Sequence, residues 1–195
     1  MTIVRLCRSR YSPKDATGAK LYGGRWNSPG RAVLYASSTL ALACLEILVH
    51  IRDVGLMPPD YAYSEIDVPE GLISPWTLTG ASSLAKIESP VLSQEYGDAW
   101  HGRTTTRSFE NISEQPLPEL LQSMPAEFRA HFRRAHESIQ RQKADSVPVQ
   151  AVPSVIVPRE MNYLINPAHS KFDQLVWSPA QAFRFDPRLI RSTGE

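Results

Sequence analysis

The chain has 195 residues, 42% of them hydrophobic, which is enough for one sizeable core. With 21 Lys and Arg against 20 Asp and Glu, its formal net charge of +1 offers no overall attraction to nucleic acid or to an anionic membrane. The apolar stretches are too short for a membrane span, and the two cysteines lack metal-ligand spacing. Since the first residues do not resemble a secretory signal, we expect a cytoplasmic protein. From the cysteine spacing, we expect no bound metal.

Strands are predicted near both ends of the chain. Four segments are short, rich in β-branched or aromatic residues and bounded by Gly, Pro or Ser, and a shorter one follows near the C-terminus. The predicted strands are 2–8, 32–37, 61–68, 151–157 and 183–185. A helix is predicted for 38–51, because Ser37, Ser38 and Thr39 offer N-caps and no Gly or Pro interrupts the next dozen residues.

Residues 101–150 differ in character from the rest of the chain. They are polar, charged and poor in strand signals, so we interpret them as an insertion into a single domain that spans 1–195. A helix is predicted inside the insertion, at 125–145, with an apolar stripe and several arginines.

The predicted helix 38–51 has a carboxylate, Glu46, in an otherwise apolar run. Residues on nearly every side of the helix are apolar, which predicts a buried helix. A buried carboxylate costs several kcal/mol (about 3 or more) unless it is paired, hydrogen-bonded or facing a polar cleft. Glu46 is therefore either in a structural ion pair with a core arginine or a catalytic group in a cleft. His50, one turn later, is interpreted as a solvated histidine.

The segment GGRWN, residues 23–27, precedes this helix. Gly23 and Gly24 allow backbone conformations and close approaches that other residues do not, and Arg25 offers a planar fork suited to phosphate or carboxylate. The segment has neither the P-loop ending nor the spacing of a dinucleotide fingerprint. On the residues alone, Trp26 is a core residue and Tyr35 a half-buried strand aromatic.

Five blocks, in order along the chain, resemble the RES family, the toxin half of bacterial RES–Xre toxin–antitoxin pairs. They are GGRWN, LYAS, ALACLEILVH, VPSVIVPREMNYLINPAH and FRFDPRL. The resemblance implies an α+β fold like that of ADP-ribosyltransferases, with a split β-sheet flanked by helices, and an activity that consumes NAD⁺ without a metal. Arg25, Glu46 and Ser154 match the residues that name the family, and Tyr35 matches its active-site tyrosine.

The resemblance assigns a role to each matched residue. Glu46 would stabilise the ribosyl cation formed when nicotinamide leaves NAD⁺, and Arg25 would bind the pyrophosphate or an attacking inorganic phosphate. Tyr35 would contact the nicotinamide ring, and Ser154 would orient the substrate or Glu46. Lys20 is a candidate second phosphate contact.

Asn162 is a further candidate for binding NAD⁺. From the residues alone, Asn162 and Asn166 are interpreted as part of a turn set by Pro167, where asparagine side chains commonly satisfy backbone groups.

The sequence leaves three classes of function to compare. The first is a growth-arresting toxin that breaks down NAD⁺ by phosphorolysis or hydrolysis, and the second is a mono-ADP-ribosyltransferase that modifies a host protein. The third, a nucleic-acid-binding or other non-enzymatic module, is disfavoured because no basic stripe with interleaved aromatics is present. For either enzyme, the resemblance implies an Xre-like antitoxin that covers the cleft.

Overall fold

The structure is a computed structural model that describes residues 1–51, 58–76, 88–104 and 146–190. The helix predicted for 125–145 lies outside the described residues, as does most of the proposed insertion. Of the insertion's ends, residues 101–104 finish a helix, and residues 149–150 begin a strand.

The described residues form a mixed α+β fold built on one sheet, as predicted. It contains eight strands: β1 (Thr2–Arg8), β2 (Leu34–Ser37), β3 (Tyr61–Asp67), β4 (Ile73–Ser74), β5 (Val149–Pro153), β6 (Met161–Ile165), β7 (Val176–Trp177) and β8 (Gln181–Phe183). The order across the sheet is β4-β5-β6-β2-β1-β3-β7, and β8 also pairs with β3. Within the described ranges, β4 and β5 are parallel and the other pairs are antiparallel.

The sheet is split where β1 meets β2. β1 pairs with β3 along its whole length, from Thr2 opposite Asp67 to Arg8 opposite Tyr61, and all four residues of β2 pair with β6. Between β1 and β2, the described residues form one aligned pair, Val4 opposite Ser37. The two halves of the sheet therefore diverge on either side of this pair and leave room for a cavity.

In the part of the chain that the structure describes, three α-helices accompany the sheet: α1 (Thr17–Tyr22), α2 (Leu40–Leu48) and α3 (Pro90–Thr104). The helix predicted for 38–51 is thus confirmed in its central part, and Thr39 is the N-cap whose Oγ1 accepts a hydrogen bond from the Leu42 amide. The expectation that this helix is buried all round was wrong. Leu42 and Ala43 are buried, but 40% of Leu45 and 57% of Val49 are exposed, because one side of α2 packs on β1 and β2.

The strand predicted for 2–8 is confirmed. The other predicted strands are present with different first or last residues. The segment predicted as 151–157 forms a strand at Val149–Pro153, since the Ser154 amide turns to the carbonyl of Glu160 and the chain leaves the ladder. The final strand is Gln181–Phe183, two residues earlier than predicted.

One turn interpretation was also wrong. Asn162 lies inside β6, opposite Ser37 and Val152, whereas Asn166 does lie in a turn and accepts a hydrogen bond from the Ala168 amide.

Among the described residues, the core is divided among three clusters of apolar side chains. The largest lies on the sheet and includes Ile3, Leu34, Ile66 and Ile165. A second cluster contains Trp26 and Trp100, which are 2% and 3% exposed, and the core position predicted for Trp26 is confirmed. Among the described helices, none is both long and apolar enough to cross a membrane.

Candidate active site

A cavity of about 680 Å³ opens at the split between β1 and β2. Its walls come from β1, β2, α2, the GGRWN segment, the loop after β5 and Asn162 of β6. Four of the predicted site residues line it, namely Arg25, Tyr35, Glu46 and Asn162. The fold therefore brings together side chains that are up to 137 positions apart in the sequence, from Arg25 to Asn162.

Glu46 is held at the wall of the cavity by two neutral donors. The Ser154 hydroxyl donates to Glu46 Oε1 at 2.8 Å, and the Asn162 amide nitrogen donates to the same oxygen at 2.5 Å. Of the two interpretations of Glu46, the geometry among the described residues agrees with the cleft-facing carboxylate rather than a core ion pair. Both donors bind Oε1, so neither of them occupies Oε2, and Glu46 itself lines the cavity.

Ser154 is fully buried and is oriented by the loop that follows β5. Its Oγ accepts hydrogen bonds from the amides of Ile156 and Val157, each at 3.1 Å. With both amides directed at the oxygen, the hydroxyl proton is left for Glu46. Of the two partners predicted for Ser154, the substrate or Glu46, the structure shows a contact with Glu46.

Asn162 is oriented by a buried serine on the adjacent strand. Ser37 Oγ donates to Asn162 Oδ1 at 2.8 Å, which turns the amide nitrogen towards Glu46. The reversed amide would direct Oδ1 at the carboxylate, where two acceptors repel. The sequence prediction named Asn162 as a ligand-binding residue but did not foresee its contact with Glu46.

Arg25 lies at the tip of a tight turn. Gly24 and Asn27 form an isolated antiparallel bridge, with the Gly24 amide donating to the Asn27 carbonyl at 2.8 Å. Gly23 has φ +73°, a left-handed conformation that favours glycine. At Gly24 the requirement is space, because a Cβ would lie 2.7 Å from the Tyr35 hydroxyl.

Tyr35 uses its hydroxyl to hold this turn. The hydroxyl donates to Asn27 Oδ1 at 2.6 Å and accepts from the Trp26 amide at 3.1 Å. Burial raises the pKa of Tyr35 well above its usual value, so the group stays neutral at physiological pH and is unsuited to be a general base. Tyr35 also lines the cavity, and the predicted ring contact with nicotinamide stays a prediction.

Arg5 is a cavity residue that the sequence prediction missed. It projects from β1 at the split, where Nη1 donates to the Tyr35 carbonyl at 2.9 Å and Nη2 donates to the Asp15 carbonyl at 3.1 Å. Burial lowers the pKa of this guanidinium from its ordinary value. The available signal was a charge within an apolar strand, the same signal that singled out Glu46.

The remaining predicted residue lies away from the cavity wall. Lys20 is exposed in the last turn of α1, next to the turn that carries Arg25, and its role as a phosphate contact stays a prediction. His50 is exposed, as expected, and also contributes to the wall. Within the described ranges, no group of three His, Cys, Asp or Glu side chains is placed to hold a metal.

Comparisons with known proteins show the family of the chain. Residues 2–113 match the RES domain. The chain belongs to the RES domain family. This RES protein is 32% identical to the Prs ADP-ribosylating toxin of Sphingobium sp. (strain YBL2) over 177 residues, which cover 91% of the chain and 86% of that relative. It is also 30% identical to Toxin Res of Photorhabdus laumondii over 196 residues, which cover 98% of the chain and 99% of that relative.

A solved structure supports the same fold. The RES protein resembles a chain in the M. tuberculosis MbcT–MbcA toxin–antitoxin complex with a TM-score of 0.51, at 14% sequence identity, over 94% of its own length and 84% of that chain. At this identity the likeness concerns the fold alone.

We predict that Tyr35→Phe destabilises the RES protein. The change leaves the Trp26 amide and Asn27 Oδ1 without their shared hydroxyl, which should lower the free energy of unfolding by about 1–3 kcal/mol. Urea denaturation measures this. Tyr63→Phe is the matched control, because the Tyr63 hydroxyl donates to Gln181 in an exposed position, where a loss within about 0.5 kcal/mol is expected. Equal losses in the two variants would contradict the prediction.

Proposed function

We propose that this RES-family toxin breaks the bond between nicotinamide and ribose in NAD⁺. The observation that supports this most strongly is the environment of Glu46. Its carboxylate is fixed through one oxygen by Ser154 and Asn162, and it lines a cavity shared with two arginines. A fixed carboxylate in the wall of a cavity that can hold a ribose is suited to stabilising a ribosyl cation.

The charges of the cavity match those of NAD⁺. The pyrophosphate is anionic, and Arg5 and Arg25 both line the cavity and add positive charge to it. The nicotinamide-ribose end is cationic and becomes an oxocarbenium-like cation on bond cleavage, and Glu46 supplies the opposing charge. A volume of about 680 Å³ lies within the usual range for small-molecule sites, about 300–1,000 Å³.

The reaction needs little covalent chemistry from the protein. The C1′–N bond breaks, its electron pair leaves with neutral nicotinamide, and the carbon is captured by a nucleophile. In this proposal, Glu46 stabilises the cation through Oε2, Arg25 binds phosphate, and Ser154 and Asn162 keep the carboxylate in place. Phosphate as the nucleophile yields ADP-ribose 1″-phosphate, and water yields ADP-ribose and a proton.

A second function has a specific observation in its favour. One relative, 32% identical, is named an ADP-ribosylating toxin. The same cleavage, with a protein side chain in place of phosphate or water, would give ADP-ribosylation of a host protein. Both functions use the same cavity and differ in the acceptor alone.

The deciding experiment is incubation of the purified protein with NAD⁺, with and without phosphate and with and without cell lysate. Nicotinamide release without lysate supports NAD⁺ breakdown, and its dependence on phosphate separates phosphorolysis from hydrolysis. Release that requires lysate, with transfer of labelled ADP-ribose to a protein band, supports the second function. No nicotinamide release under any condition contradicts both.

We predict that Glu46→Gln lowers nicotinamide release by about 100-fold or more while the protein remains folded. Glutamine keeps the volume of the side chain but removes the charge that opposes the ribosyl cation. The measurement is kcat for NAD⁺, with circular dichroism as the test of folding. Glu70→Gln, at an exposed position, is the matched control and should leave kcat unchanged. Near-full activity of Glu46→Gln would make Glu46 structural.

We predict that Arg25→Lys is nearly as damaging as Arg25→Ala. If Arg25 binds phosphate through two parallel hydrogen bonds, an ammonium cannot replace the fork, and the kcat/KM values of the two variants should agree within about threefold. Arg184→Lys, at an exposed position, controls for the loss of any guanidinium. Full activity of Arg25→Lys would reduce Arg25 to a point charge.

We further propose that an Xre-like antitoxin neutralises the protein by covering the cavity. Arg25 and Arg5 give the cavity positive charge, so a partner can occupy it with a carboxylate in place of phosphate. Mixing the toxin with the product of a neighbouring gene should give a stable complex with nicotinamide release reduced by about 100-fold or more. Undiminished release from a stable complex would place the antitoxin elsewhere on the surface.

A further inference from the structure

Helix α3 contacts the back of the turn that carries Arg25. The Gln94 amide nitrogen donates to the carbonyls of Gly24 and Asn27, at 3.2 and 3.1 Å. These two residues form the bridge that closes the turn, with Arg25 and Trp26 at its tip. One side chain therefore binds both ends of the turn at once.

The backbone of α3 approaches the same turn closely. A Cβ at Gly97 would lie 1.8 Å from the Trp26 carbonyl oxygen, so the helix touches the backbone directly at this point. One residue later, Asp98 accepts hydrogen bonds from the amide and hydroxyl of Ser28, at 2.9 and 2.6 Å. The turn is thus held by Tyr35 of the sheet on one side and by α3 on the other.

None of the three α3 residues belongs to the described wall of the cavity, whereas Arg25 does. Any effect of Gln94 on the substrate must therefore pass through the turn. A guanidinium fork requires fixed geometry to bind phosphate through two hydrogen bonds, and a displacement of about 1 Å is enough to lose much of the rate.

We propose that Gln94 is a positioning residue that sets the Arg25 guanidinium for binding the phosphates of the substrate. The assignment rests on the proposed function, because the group that Arg25 binds is the pyrophosphate of NAD⁺ or inorganic phosphate. It adds a residue to which the sequence resemblance assigned no role, since a glutamine on a helix carries no catalytic signal by itself.

The test is a double-mutant cycle between Gln94 and Arg25, read as kcat/KM for NAD⁺. Gln94→Met keeps an unbranched side chain of similar length and removes both donors, and Gln94→Glu places acceptors against the two carbonyls. Each should lower kcat/KM about tenfold in the wild-type background and change it less than about twofold in the Arg25→Ala background. Glu95→Met, at the next and exposed position of α3, is the matched control and should have no effect.

The cycle separates positioning from a general loss of stability. A residue that merely stabilises the fold lowers kcat/KM by the same factor with or without Arg25, and equal losses in both backgrounds would overturn the proposal. Wild-type kcat/KM in both folded Gln94 variants would also overturn it and leave the proposed function intact. If neither variant folds, Gln94 belongs to the stability of the fold and the proposal fails.

Failure of the proposed function is recognised separately. If the wild-type protein releases no nicotinamide, the proposed function falls, and the role of Gln94 falls with it. If the wild-type protein is active and the Gln94 losses vanish without Arg25, both stand.

Discussion

The divergence of β1 and β2 is the constraint on which the site depends. Had the two strands paired along their length, the sheet would be closed and no cavity would lie between Arg25 and Glu46. Divergence leaves backbone groups without ladder partners, and a buried carbonyl without a partner is costly. Arg5 resolves this by donating to the Tyr35 carbonyl across the split. The residue that stabilises the opening thus also adds positive charge to the cavity that the opening creates.

Around Glu46, too, the groups that stabilise a partly buried polar atom leave the charge available to the cavity. A buried carboxylate paired with an arginine would be neutralised and unavailable to a cationic transition state. Neutral donors from Ser154 and Asn162 stabilise Glu46 without cancelling its charge. Their own orientation comes from Ser37 and from the loop after β5, so the position of one carboxylate depends on β2, β5, β6 and α2 together.

Arg25 is supported in a different way. It lies in a turn whose glycines are required at Gly23 by a left-handed conformation and at Gly24 by the Tyr35 hydroxyl. Short turns at a surface are usually mobile, yet this one is held by hydrogen bonds from the sheet and from α3. Rigid placement lowers the entropic cost of binding an anion through a planar fork, which is consistent with the role proposed for Arg25.

The sequence by itself determined the α+β class, the first strand, the centre of α2 and four of the residues around the cavity. These features follow from local patterns and from the order of motifs along the chain, both of which can be read from the sequence. It did not reveal Arg5, the strand position of Asn162, or the contact of Gln94 with the turn. Each of these depends on pairing between distant segments, such as β2 with β6 or α3 with residues 24–27. Only the tertiary structure decided these contacts, because hydrogen bonds between segments 30 or more residues apart, such as that of Arg5 with the Tyr35 carbonyl, depend on how the sheet closes.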